Sequence, residues 1–152
     1  MNNIIAFIPA RAGSKEIIDK NIKMLGHQPL IGWTIQKALG AGLRTIVSTD
    51  GSHIAEIAVE YGAEVMMRPA RLGGDKISLY EVLKNEIPKI DPPVDFVLLL
   101  QPTVPFRKKN HIGIALSFFQ GNLKKFASLI TVEKVPEKYN PAQVIISAPM
   151  NE

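Results

Sequence analysis

Residues 8 to 21 read IPARAGSKEIIDKN, which places Arg11, Lys15 and Lys20 within ten positions around the pair Gly13-Ser14. Ala10, Ala12 and Gly13 are small enough to let an anion approach the backbone. Ser14 supplies a hydroxyl donor, and the three basic side chains supply charge. A triphosphate suits that combination. The pattern is neither the P-loop GxxxxGK[ST] nor the dinucleotide GxGxxG, since it has one glycine where those need two or three. A solvated turn with its cations in water fits the same residues, and the loop by itself does not choose.

The elements around the loop say where it would be held. Short apolar or β-branched runs at residues 4–8, 44–49, 64–67, 94–100 and 127–132 predict strands, and most intervals between them predict helices. Ile54, Ile57, Ala58 and Tyr61 give one helical face ending at Gly62. Leu79, Val82, Leu83 and Ile87 give another behind the capping box Ser78-Leu79-Tyr80-Glu81. A third helix is expected to start at Pro29 as its first residue and run to Gly40 and Gly42. A fourth is expected over 110–119, stopping at Gly121. Trp33, Phe118 and Phe119 fall on these helix faces and read as core. VDFVLLL is apolar almost throughout, the pattern of a central strand covered on both sides, with IDPPVD as a tight lead into it.

This alternation predicts an α/β fold, a three-layer α/β/α Rossmann-like domain on a mostly parallel sheet. In such sheets ligands sit beyond the carboxyl ends of the strands, and the basic loop occupies one of those ends. Residues 1–132 read as the core. Residues 133–152 hold a strand at 143–147 and no helix, and read as the start of something unfinished, with an apolar patch at 144–146.

A chain of 152 residues that is 46% hydrophobic can bury one real core. It contains no cysteine, which excludes disulfides, thiolate zinc sites and a cysteine nucleophile, and is compatible with a cytoplasmic setting. The start MNNIIAFIPA has no basic segment, and its apolar run falls far short of the roughly 20 residues a membrane helix needs. No membrane partner is expected. The net charge of +4 comes without a block of like charges and favours small polyanions. Arg107-Lys108-Lys109 and Lys124-Lys125 lack interleaved aromatics, which argues against nucleic acid. His27, His53 and His111 have no metal-ligand spacing and read as surface residues. Asp50, closing VSTD, could orient the loop or bind a cation, but an aspartate there more commonly caps the next helix; Asp75 reads the same way.

The strings IPARAGSK, KN at Lys20 and Asn21, PLIGWTI, IVSTD, IAEIAVEYGAEV, RPARLGGDKIS and VLLLQPTVPFR occur in order. Together they resemble the cytidylyltransferases that activate acidic sugars, in particular the acylneuraminate (CMP-sialic acid) synthetases with their legionaminic- and pseudaminic-acid relatives. The resemblance runs from residue 4 to about 147. It implies a nucleotide-diphospho-sugar transferase fold and transfer of CMP from CTP to the anomeric hydroxyl of a nonulosonic acid, an acidic nine-carbon sugar, with release of pyrophosphate. It places Ala10, Arg11, Ala12, Gly13, Ser14, Lys15, Lys20 and Asn21 around the triphosphate, with Lys15 and Arg11 as catalytic cations. It puts Arg68 and Ser78 near the nucleoside and sugar, and Gln101 and Thr103 near the acceptor sugar. It also implies Mg²⁺, a cytoplasmic enzyme and a homodimer. Ser78 reads first as an N-cap, a role that can coexist with ligand binding, and Arg68 also reads as a strand-end residue.

Two departures qualify the resemblance. Glu16 and Ile18 stand where relatives carry glycine and proline, and Glu16 sets an anion beside the phosphate path. Relatives also continue through a small dimerisation lobe and return with two aspartates for Mg²⁺, so this chain reads as an N-terminal portion without metal ligands. A non-catalytic nucleotide-binding domain is the alternative. A Kdo-type cytidylyltransferase is disfavoured, because Gln101-Pro102-Thr103 replaces the acidic residue expected there.

Overall fold

The computed structural model describes residues 3–14, 17–108 and 110–131, and the chain divides into two compact units that meet between residues 109 and 110. In the first unit, strand β1 (Ile4–Pro9) is buried on both faces from Ile5 to Ile8. A small antiparallel hairpin follows, β2 (Met24–Leu25) and β3 (Gln28–Pro29), and leads directly into helix α1 (Leu30–Leu39). The chain continues through β4 (Arg44–Thr49), α2 (Ser52–Glu60), β5 (Glu64–Met67), α3 (Leu79–Glu86) and β6 (Phe96–Leu99).

Strands β5, β4, β1 and β6 lie side by side in that order, all parallel. The chain steps from β1 outward to β4 and β5, then crosses back to the other side of β1 as β6. Consecutive connections therefore leave β1 in opposite directions, and the crevice between the carboxyl ends of β1 and β6 is the place such a sheet offers a ligand.

Side-chain alternation sorts the core into two layers. Ile5, Phe7 and Ile46 pack with Val82 and Ile90, joined by Leu83 and Ile87, so α3 covers one face. Ala6, Ile8 and Val47 point the other way, where α1 and α2 lie against β4 and each other and bury Ile31, Ile35, Ala38, Ile54 and Ala58. Helices thus flank a parallel sheet on both sides, as the alternating pattern predicts.

Strands β4 and β5 coincide with the predicted runs, and α2 and α3 occupy their predicted segments. The capping box is present: Glu81 N–H donates to Ser78 Oγ at 3.2 Å and Ser78 N–H donates to Glu81 Oε2 at 2.8 Å. The Ser78 N–H, and the Ser78 hydroxyl that donates to the same oxygen at 2.9 Å, hold the Glu81 carboxyl below its ordinary value. Other expectations are corrected. Pro29 is the N-cap of α1 rather than its first residue, because its ψ of 152° is extended and continues β3. The VDFVLLL strand is the edge of the described sheet with half-buried side chains. The central, fully covered place belongs to β1, whose apolar run has the same local pattern. The IDPPVD lead is tied to the start of β1, where Asn3 N–H donates to Asp95 Oδ2 at 2.7 Å and Asn3 Nδ2 donates to the Pro93 carbonyl at 2.7 Å.

At the same amino end of the sheet, between β4 and β5, Arg44 Nε and an Arg44 terminal N–H donate to the two carboxylate oxygens of Glu64 at 2.7 Å each. This bidentate bond lowers the Glu64 carboxyl from its ordinary value. A carboxyl more acidic in the folded state stabilises fully above its unfolded value of about 4.3 and loses that contribution as pH falls through the folded value. The pair is half exposed, so it is worth under about 1 kcal/mol and less in salt. Urea unfolding of Glu64→Gln is expected to show that deficit near pH 7 and a smaller one near pH 3, below the unfolded value of about 4.3. An equal deficit at both pH values would mean the charge plays no part.

The second unit contributes helix α4 (His111–Gly121), with Asn110 at its N-cap. Gly121 is its last residue and Asn122 its C-cap, with Asn122 Nδ2 donating to the Phe118 carbonyl at 2.8 Å. Phe118 is 54% exposed, so it is not the core residue predicted; Phe119 is half-buried. Residues 127–131 form no strand. The strand at 143–147, the patch at 144–146, the core boundary at 132 and the lobe at 133–152 lie outside the described residues.

Candidate active site

The loop after β1 is fixed from three directions. Ala10 N–H donates to the Ser48 carbonyl at 2.9 Å and prolongs the β1–β4 ladder by one residue. Ala12 N–H donates to Asp50 Oδ1 at 3.0 Å. Buried Asn21 reaches back from the other end of the loop, its Nδ2 donating to the Arg11 carbonyl at 3.0 Å. Gly13 turns the chain at φ +66°, a left-handed conformation that side chains oppose. The amides of Ala10 and Ala12 are therefore committed inward. Arg11, Ser14, Lys20 and Asn21 are the residues of this segment that line the neighbouring cleft.

Strand register supplies the second wall. Thr49 pairs with Met67, so the residues that follow, Asp50 and Arg68, emerge side by side. Arg68 N–H donates to the Thr49 carbonyl at 2.9 Å, and its guanidinium lies 3.3 Å from Asp50 Oδ1. The Arg68 side chain is only 3% exposed and its Nε has no hydrogen-bond partner among the described residues, although the residue lines the cleft. A buried donor left over at a cleft wall is available to an acceptor on a ligand. Beyond Arg68 the chain passes Gly73, where an added Cβ would lie 2.7 Å from Asp50 Cγ, and reaches Asp75, whose carboxylate pairs with Arg11.

The third wall is the loop after β6. Leu100 N–H donates to the Phe7 carbonyl at 3.0 Å, so Gln101 and Thr103 leave the sheet beside the first loop, and both line the cleft. Arg107 ties this loop to α1, donating to Thr34 Oγ1 at 3.1 Å and to the Gln101 carbonyl at 2.9 Å. Burial pulls the Arg107 guanidinium below its ordinary value, yet it stays a cation under any physiological condition. Trp33 is held nearby, its indole N–H donating to the Leu25 carbonyl at 2.9 Å and its ring edge-on to His27 and Phe106.

These walls enclose a cleft of about 250 Å³ at the crevice between β1 and β6. Its lining joins cationic and polar side chains to an apolar set, Leu72, Ile77, Leu79 and Val82. A phosphate chain suits the first set and a flat base the second. Ser78 does not line the cleft and is occupied as a cap. Ile18 is exposed, and Lys15 and Glu16 lie outside the described residues. Among the described residues no three His, Cys, Asp or Glu side chains converge, and Asp50 and Asp75 both face arginines. These side chains do not form a cage for Mg²⁺.

Comparison with known proteins gives this architecture its relatives. The sequence profile of the family described as Cytidylyltransferase matches residues 5–146. The chain belongs to the cytidylyltransferase family. It is 39% identical over 144 residues to an N-acylneuraminate cytidylyltransferase of Escherichia coli O18:K1:H7, covering 93% of this chain and 33% of that protein. It is 38% identical over 139 residues to a CMP-N,N'-diacetyllegionaminic acid synthase of Legionella pneumophila, covering 88% of this chain and 60% of that protein. The chain thus spans between a third and three-fifths of the length of these relatives. Among solved structures, a CMP:2-keto-3-deoxy-manno-octonic acid synthetase complexed with CTP superposes with a TM-score of 0.69 at 22% identity, over 80% of this chain and 48% of that one. A cytidylyltransferase from Leptospira borgpetersenii superposes with a TM-score of 0.62 at 17% identity, over 80% and 50%. These likenesses establish the Rossmann-like nucleotidyltransferase fold.

Within this cytidylyltransferase fold the sequence reading prefers Asp50 and Asp75 as helix caps and does not name Arg68 and Arg11 as their partners. For Asp50 the other role it allows, orienting the loop, is the one observed, since Ala12 N–H donates to it, while α2 is capped by Gly51 with no side-chain bond from Asp50. The signal was available. Once β4 and β5 are placed in parallel register, the residues after their last pair must be neighbours, and those residues are an aspartate and an arginine.

Proposed function

We propose that the protein transfers CMP from CTP to the anomeric hydroxyl of a nonulosonic acid. The observation that carries this reading is the convergence of Arg11, Ser14, Lys20, Arg68, Gln101 and Thr103, from the three loops after β1, β5 and β6, on one cleft at the sheet's switch point. Arg11, Ser14 and Lys20 take the triphosphate, and Lys15, next to Ser14 in the sequence, is proposed as a further cation. Arg68 offers its unpartnered Nε to the base while the apolar wall receives the ring. Gln101 and Thr103 face the acceptor sugar. As the sugar hydroxyl oxygen bonds to the α-phosphorus and gives up its proton to solvent, the bond to pyrophosphate breaks and negative charge builds on the leaving oxygens. Cations already in place stabilise that charge without reorganisation. Mg²⁺ is proposed as cofactor, supplying further neutralisation through ligands the described residues do not provide. A cytoplasmic homodimer completes the proposal.

Calorimetric titration of CTP and ATP, with and without Mg²⁺, tests the nucleotide site. CTP is expected to bind in preference to ATP, with Lys15→Ala weakening it about tenfold or more. In an assay of pyrophosphate release the same substitution is expected to lower the rate about 10²- to 10³-fold. Equal affinity for both nucleotides, or none in a folded protein, would overturn the reading.

A further inference from the structure

We infer that Asp50 is the positioning residue of the nucleotide site, holding the phosphate loop and the base-side arginine in register through one carboxylate oxygen. The inference rests on the CTP reading above. Asp50 Oδ1 accepts from Ala12 N–H at 3.0 Å and lies 3.3 Å from the Arg68 guanidinium. Asp50 does not line the cleft, and its side chain is 15% exposed. It acts through other residues. The loops after β1, β4 and β5 meet on it, and these loops carry Arg11 and Ser14 on one side and Arg68 on the other.

Each partner needs this carboxylate for a different reason. A guanidinium that is 3% exposed requires an anion, and Asp50 is the carboxylate that faces it. The Ala12 amide follows a residue whose side chain must point at phosphates, so the direction of that N–H sets the direction of Arg11. Both demands fall on Oδ1, which makes the spacing between base and phosphate contacts a property of one side chain. Gly73 provides the seat. A Cβ there would lie 2.7 Å from Asp50 Cγ and 3.3 Å from the Ala70 carbonyl, so the carboxylate keeps its place only because residue 73 has no side chain. The carboxylate cannot yield cheaply, since moving it breaks both of its bonds.

Separate probes for the two halves of the nucleotide distinguish this role from a structural one. CMP reports chiefly on the nucleoside side and inorganic tripolyphosphate on the loop. Asp50→Asn keeps an oxygen for Ala12 and removes the charge facing Arg68. It is expected to weaken CMP about tenfold while leaving tripolyphosphate within about threefold. Asp50→Ala loses both bonds and is expected to weaken both probes by about tenfold or more. Gly73→Ala, which displaces the carboxylate without altering it, is expected to behave like Asp50→Ala. Thermal melting accompanies each titration. Unchanged CMP affinity in Asp50→Asn, or an Asp50→Ala protein that melts lower yet binds both probes like the wild type, would overturn the inference. A folded wild type that binds neither probe would instead remove the nucleotide reading, and the role of Asp50 with it.

Discussion

Arg68→Met is expected to lower the unfolding free energy by about 3–5 kcal/mol and to abolish measurable CTP binding. The methionine fills much of the same space, so packing loss is the smaller part. The larger part is Asp50, left half-buried with no cation opposite it, since removing one member of a buried ion pair strands the charge of the other. Asp50 also holds Ala12, so its search for water would loosen the phosphate loop as well. Adding Asp50→Asn to Arg68→Met removes the stranded charge and is expected to return about 1–2 kcal/mol, a coupling that independent sites would not show. Urea unfolding of the two single variants and the double measures it directly. A single variant within about 1 kcal/mol of the wild type, or effects that simply add, would mean the pair contributes nothing specific. Binding need not recover in the double variant, because the Arg68 Nε that would face the base is gone.

What could be read in advance divides by range of interaction. The runs at β4 and β5 are bounded by turn residues, and the Ser78–Glu81 box is a contact between positions three apart, so a local sequence pattern determines each. Arg11, Ser14 and Lys20 were legible as a basic loop at a strand end, whereas Asn21, Arg68, Gln101 and Thr103, which line the same cleft, came from the resemblance. Lateral order was not legible. IIAFI and FVLL are both apolar, and only the crossover from β5 back past β1 decides that the first is central and the second an edge. The hairpin of β2 and β3 is too short to leave a period. Asp50 fails for another reason: an aspartate after a strand and before a helix looks the same whether it caps that helix or reaches across to a residue 18 positions away. Phe118 shows that apolar residues on a helix face do not guarantee a covering partner among the described residues.

Phe7→Ala should cost as much as Arg68→Met while leaving the site's chemistry intact. Phe7 is fully buried in the central strand and packs among Ile5, Ile46, Val82 and Ile90 between the sheet and α3. Truncating such a side chain loses its transfer free energy and leaves a cavity that a β-strand pinned by neighbours on both sides cannot close, a cost of about 3–5 kcal/mol. Domains of this kind have about 5–15 kcal/mol in total, so the melting temperature should fall by more than about 10 °C. The Phe7 carbonyl still accepts from Leu100 N–H, and no cleft residue is changed, so the folded fraction should bind CTP with wild-type affinity. Saturating ligand then discriminates between the two variants. CTP at about 100 times its Kd adds about 2.7 kcal/mol to any form that binds it, which would restore much of the loss in Phe7→Ala and none of it in Arg68→Met. Thermal melts of both proteins with and without CTP provide the comparison. If CTP rescues neither, the cleft depends on the whole core and its residues cannot be assigned separate roles; if it rescues both, Arg68 is not part of the nucleotide site.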